Sequence, residues 1–190
     1  METAYLHLVT NHIPIIGIPF AIALLLLGLW KGSDDLKSAS FLAFVALGAL
    51  TIVVYLLGQG GEDFVEELSG VSHDAIEEHE AAATFGLISV LMTALPAAFA
   101  LVRYRWLRRQ TDDATGVVGR FPRWVVLLTL VLAIGSAAVL GYTGRLGGKI
   151  RHTEFHGGTA TTDGENETTG AENEEREESG QRRRRNRGGR

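Results

Sequence analysis

The sequence predicts an all-α fold, a four-helix transmembrane bundle with a disordered C-terminal tail. Three observations carry this reading. Four apolar stretches, at about 13–30, 38–58, 81–102 and 124–144, match the about 20 helical residues needed to cross a hydrocarbon layer of about 30 Å. None of them holds Asp, Glu, Lys, Arg or His in its interior, whereas each helix of a soluble bundle keeps a polar face. Beyond about residue 156 the chain turns polar and repetitive. The expected organisation is therefore a membrane domain over 1–156 and a tail over 157–190.

Residues 1–11 read as a short lead. They carry Glu2 but no Lys or Arg, and no small-residue cleavage site follows the first apolar run, so that run is expected to stay as a helix. Pro14 falls where a missing N–H costs least, and Pro19 is placed to bend the helix. Span two ends at Gly58-Gln59-Gly60-Gly61, a clear stop. Glu62 to Leu68 fit one or two interfacial turns, with Phe64, Val65 and Leu68 toward lipid or bundle. Ser72 reads as an N-cap with Asp74 in the first turn, so helix three should stand about two turns above the membrane before Ala81. Pro96 predicts a kink in that helix, and Pro122 suits the first turn of the fourth. The outer end of span four is rich in small residues (Gly135, Ser136, Ala137, Ala138, Gly141, Gly144, Gly147, Gly148). This fits close helix packing, and equally room for a flat cofactor.

The tail passes from Thr/Gly to Glu/Asn to an Arg-rich end and buries too little apolar area to offset ordering. Its Arg182–Arg185 run suits its own Glu-rich stretch or solvent. No nucleic-acid partner is expected. Asn166-Glu167-Thr168 matches a glycosylation triplet of a kind that arises often by chance.

Lys and Arg set the orientation. Arg103, Arg105, Arg108, Arg109, Arg120 and Arg123 lie between spans three and four, with Lys31 and Lys37 on the same side. The other side carries Glu62, Asp63, Glu66, Glu67, Asp74, Glu77, Glu78 and Glu80; Arg145, Lys149 and Arg151 weaken the bias without reversing it. The expectation is a multi-pass protein of the cytoplasmic membrane with both termini extracytoplasmic.

With no cysteine, disulfides, thiolate-held clusters, covalent c-type haem and Cys nucleophiles are excluded. All six histidines fall on the predicted outer side. His12, His79 and His152 are expected at one depth on three helix ends, and imidazole is the commonest ligand of metals and haem iron. His7, His73 and His156 read as peripheral. Haem b would take two of the three as axial ligands, with Arg145, Lys149 and Arg151 beside its propionates. Alternatively, a divalent metal ion would use His12, His79, His152 and Glu80. The bland reading is that these cations snorkel and the acids simply solvate a helix turn. No HExxH, phosphate loop or Ser/His/Asp arrangement supports a hydrolase, and the spans hold too few ionisable groups for a pump.

The stretches Leu6–Pro14 (LHLVTNHIP), Glu78-His79-Glu80 and Gly144–Glu154 (GRLGGKIRHTE) resemble those of a group of small uncharacterised bacterial membrane proteins. Their first helix opens with a His-Pro…His-Phe-Pro pattern. The resemblance covers about residues 4–156; here Leu8 follows His7, and Ile13 separates His12 from Pro14. It implies a four-span domain and a redox association. Residues and resemblance together lead to an expected role in electron transfer within a membrane redox complex, beside other redox subunits or as a homo-oligomer. The competing expectation is a non-catalytic accessory subunit.

Overall fold

In the computed structural model, which describes residues 2–62, 65, 73–110 and 121–151, five helices follow one another. They are α1 (Glu2–Thr10), α2 (His12–Trp30), α3 (Asp34–Gln59), α4 (His73–Gln110) and α5 (Arg123–Arg151). Four segments are long and apolar enough to cross a membrane: Glu2–Trp30, Asp34–Gln59, His73–Arg109 and Arg123–Ile150. Only 28% to 33% of each apolar window is buried inside the bundle. The rest, including Ile16, Phe20, Leu42, Phe85, Met92, Leu95, Val131 and Ile134, faces outward, and an apolar surface of that extent is stable only against lipid. The chain is a multi-pass membrane protein.

Helix α2 packs on α3 and α5, and α4 packs on the same two, so α2 and α4 occupy opposite corners of a four-helix ring. Ile18, Ala21, Leu25, Phe41, Phe44, Val90, Ala97, Val125, Val126 and Ala133 fill the centre. Hydroxyls tie the helices together where lipid offers no competing water. Ser40 Oγ donates to the Ala21 carbonyl at 2.8 Å, Thr143 Oγ1 donates to the Ala82 carbonyl at 3.1 Å, and Thr93 Oγ1 pairs with Ser136 Oγ at 2.9 Å.

The α2–α3 connection is a compact stop and start. Ser33 N donates to the Gly28 carbonyl, Gly32 N to the Leu29 carbonyl, and Gly32 adopts φ 64°, the left-handed conformation that only glycine takes without strain. Ser33 then caps α3 by accepting from Leu36 N, with Asp34 and Asp35 in the first turn. Pro122, expected in the first turn of α5, immediately precedes the helix, its carbonyl accepting from Val126 N at 3.2 Å. Helix α4 runs unbroken from His73, and both it and α2 stay helical through Pro96 and Pro19. Ser72 and most of the proposed interfacial turns (63, 64, 66–68) lie outside the described residues, as does the tail.

The lead before span one is itself helical. Helix α1 ends at Thr10, four residues before Pro14, because proline supplies no N–H to the Thr10 carbonyl and its ring crowds it. Asn11 N still reaches the His7 carbonyl at 2.9 Å, so α1 and α2 follow on with a single turn residue between them. Helix α1 is seated on the end of α3. Thr3 Oγ1 donates to the Gly60 carbonyl at 2.7 Å, and a Cβ on Gly61 would stand 2.8 Å from Ala4 Cα. The glycine cluster at 58–61 is thus a docking seat as well as a stop.

At the opposite end of the bundle Tyr104 stacks on Phe121 at 4.4 Å, and Phe41 meets the same ring edge-on at 5.0 Å. Arg108 lies over Tyr104 at 5.4 Å. Trp30, Trp106 and Trp124 are all exposed at this end, forming the aromatic belt that marks a membrane–water boundary.

Candidate functional site

The end that carries α1, the first turns of α4 and the last turns of α3 and α5 holds the histidines. His7 extends from α1 toward α3, and its Nδ1 lies 2.9 Å from the Val54 carbonyl oxygen. His79 extends from α4 toward α5, and its Nδ1 lies 3.2 Å from the Thr143 carbonyl oxygen. A carbonyl can only accept, so in both rings Nδ1 carries the proton. With Nδ1 turned to a carbonyl, Nε2 is the ring nitrogen that faces away from that contact.

The two contacts share one construction. His7 rests on Gly58, four residues after Val54, and a Cβ there would stand 3.0 Å from its Cε1. His79 rests on Gly147, four residues after Thr143, and a Cβ there would also stand 3.0 Å from its Cε1. Side chains on a helix lean toward its N-terminus and cover the preceding turn. Glycine at that position uncovers the carbonyl one turn back, and the imidazole takes the vacated place. The same device, histidine on one helix with a carbonyl and glycine on the next, thus occurs once on α1–α3 and once on α4–α5.

His79 lies two residues before the apolar segment 81–102. Burial holds its imidazole below the ordinary value of 6.5, the bond to Thr143 pulls it the other way, and the charge of His7 lowers it further. Asn11 stands one turn after His7 on the same helical face, and its Oδ1 is buried with no hydrogen-bond partner. Ile15, a further turn along, packs toward Gly144 of α5, whose Cβ would stand 3.1 Å from Ile15 Cδ1.

The expected set is only partly assembled. His79 is half-buried and turned inward, but His12, the first residue of α2, is exposed. His7, expected at the periphery, takes the inward place instead, because α1 is a helix seated on α3 and 7, 11 and 15 share one face. His152 and His156 lie outside the described residues, as does the side chain of Arg151. Glu80 Oε1 accepts from Gln59 Nε2 at 3.4 Å, which turns that carboxylate toward α3. Glu78 Oε1 accepts from the Tyr142 hydroxyl at 3.0 Å. Among the described residues no three His, Asp or Glu side chains converge as a metal set. Arg145 is exposed and Lys149 half-buried on α5, about half a turn and about one and a half turns beyond Thr143. Among the described residues neither is within ion-pair distance of a carboxylate; the pair found is Lys37–Asp34, at the far end.

The small-residue stretch of α5 divides by face. Gly144 and Gly147 receive Ile15 and His79, and Ser136 pairs with Thr93, whereas Gly135, Gly141 and Gly148 have open space beside them. The signal that would have placed His7 from sequence is the recurring spacing from the residue whose carbonyl accepts to a glycine four residues later. It is invisible until the partner helices are known.

No protein-family model matches the chain, and no curated protein or solved structure matches it either.

Proposed function

We propose that this four-span membrane protein binds haem b or a divalent metal ion at its histidine-bearing end and transfers electrons within a membrane redox complex. In this reading that end and both termini face the outside of the cytoplasmic membrane, because the Arg-rich connection lies at the other end. One observation carries the cofactor reading: the paired tethering of His7 and His79 through Nδ1 to main-chain carbonyls. Metal-binding histidines characteristically donate their other ring N–H to a carbonyl or carboxylate, which fixes the tautomer and raises the basicity of the ligating nitrogen. The motif resemblance to small four-span bacterial membrane proteins points the same way. A bound haem or redox metal would supply the one-electron chemistry; the chain supplies ligands, orientation and an environment of low polarity.

The second reading is a non-catalytic accessory subunit, favoured by the same bonds acting as pins between helices α1 and α3 and between α4 and α5. Absorption spectra of the purified full chain, oxidised and dithionite-reduced, together with elemental analysis, separate the two. A Soret band or a stoichiometric metal is expected. A colourless, metal-free protein from haem- and metal-sufficient cells would favour the accessory subunit.

A further inference from the structure

We propose that the outer seam between α4 and α5, at the end bearing the exposed tryptophans, binds a phospholipid of net negative charge. Its phosphate lies between Arg103 and Trp124, and its acyl chain runs along Leu128 toward Gly135. This does not depend on whether a cofactor is held at the histidine-bearing end.

Charge at the tryptophan-bearing end is unbalanced. Lys37 is paired with Asp34 at 2.9 Å, and Arg108 lies over the Tyr104 ring. Lys31, Arg103, Arg105, Arg109 and Arg123 are exposed, and among the described residues none is within ion-pair distance of a carboxylate. Exposed Trp30, Trp106 and Trp124 put these cations at the membrane boundary, where lipid phosphates are the nearest anions. The ammonium of a zwitterionic lipid cancels most of the attraction to its phosphate. A lipid of net negative charge keeps it, at about fivefold for each cation engaged.

Helix periodicity places Arg103 and Trp124 on one seam. At the other end of the bundle the Tyr142 hydroxyl donates across that seam to Glu78 at 3.0 Å. Arg103 follows Glu78 by about seven helical turns, and Trp124 precedes Tyr142 by about five, so both return to the same side of their helices. Their depth is set by the ties on either side. Thr93 pairs with Ser136 and Tyr104 stacks on Phe121, so the antiparallel helices bring position 103 level with 124.

Deeper in the membrane the seam is apolar and uncovered. Phe99 and Met92 on α4 and Leu128 and Val131 on α5 are exposed, and a Cβ on Gly135 would meet nothing within 4 Å. The Arg103 guanidinium and the Trp124 indole N–H can only donate, which suits phosphate oxygens, and the groove below them suits a hydrocarbon chain. Arg105 belongs to the other flank of α4: it follows Ala94, which meets Gly48 of α3, by about three turns. It is the matched control for Arg103.

The test uses the full chain reconstituted in phosphatidylcholine bilayers. Trp30→Phe with Trp106→Phe leaves Trp124 as the sole tryptophan. Phosphatidylglycerol brominated high on its acyl chain should quench Trp124 at about fivefold lower mole fraction than equally brominated phosphatidylcholine. Salt should narrow that preference. Arg103→Gln should abolish it, Arg103→Lys should keep part of it, and Arg105→Gln should leave it unchanged. If Arg103→Gln fails to insert, native mass spectrometry of the wild type decides: phosphatidylglycerol should be retained in preference to phosphatidylcholine.

Equal quenching or equal retention of the two lipids in the wild type would overturn the site. So would a preference that survives Arg103→Gln, or one lost equally in Arg105→Gln, which would mean a diffuse charged collar. Relief of quenching by millimolar inorganic phosphate at constant ionic strength would assign the cations to a soluble anion instead.

Discussion

His79 and Thr143 are joined across the α4–α5 interface by a 3.2 Å contact from imidazole Nδ1 to carbonyl oxygen. The contact exists because the residue one turn after Thr143 is Gly147, whose missing side chain leaves that carbonyl open. Val54 and Gly58 do the same for His7. These small residues therefore govern ring orientation, and their role can be separated from generic helix packing.

Gly147→Ala should disturb His79 specifically. The new methyl would stand 3.0 Å from His79 Cε1, closer than an imidazole held by a hydrogen bond tolerates. Losing that bond costs about 0.5–1.5 kcal/mol, against which alanine returns up to about 1 kcal/mol of helix propensity. Gly135→Ala, with open space beside it, keeps the propensity gain and loses nothing. Thermal unfolding in detergent should rank Gly135→Ala above Gly147→Ala, and the latter should also shift the His79 imidazole resonances. Equal stabilities with unmoved resonances would contradict the contact.

Acid should weaken the fold through the same residue. Burial depresses the His79 pKa, so between its folded value and the ordinary 6.5 the unfolded chain binds more protons than the folded one. Stability is then complete above 6.5 and declines as pH falls through the depressed folded value. The melting temperature should drop from pH 7.5 to pH 5, and the drop should be smaller in His79→Gln, which keeps a neutral donor. An identical pH dependence in the variant would place the titrating group elsewhere.

The spans were legible because each is apolar on every side, and a lipid environment demands nothing subtler. The α2–α3 turn was less so: its boundaries depend on Gly32 at positive φ and on the Ser33 cap, which sequence only hints at. The histidine placement was half legible. His79 stands out by its position against the apolar run, but the contact of His7 with α3 and the exposure of His12 depend on residues 2–10 forming a helix that lies on α3. Hydropathy says nothing about that packing, because Ala4, Gly60 and Gly61 are too small to signal a partner.

Topology gives a clean test of orientation. With the Arg-rich connection inside, a reporter fused after Arg109 should be cytoplasmic, and one fused after Gly70 should lie outside. The exposed Trp30, Trp106 and Trp124 predict where the inner boundary falls. Their fluorescence should be quenched by water-soluble quenchers reaching that face and little by lipids brominated at the chain terminus. The opposite reporter pattern would place the histidines on the cytoplasmic side.

Asn11 separates binding from stability. Its Oδ1 is buried without a donor, on the face shared with His7, and an unpaired buried acceptor costs about 1–3 kcal/mol. A purely structural sequence would do better with an apolar side chain there, where α1 gives way to α2. Asn11→Leu should therefore raise the unfolding temperature of the protein freed of bound groups, by an amount corresponding to about 1 kcal/mol once the larger volume is accommodated. If the carboxamide serves a bound group, the same variant should weaken hemin binding while it stabilises the fold. A gain in stability with unchanged hemin affinity would assign Asn11 no part in the site, and a loss of stability would show that its oxygen is hydrogen-bonded in the folded protein.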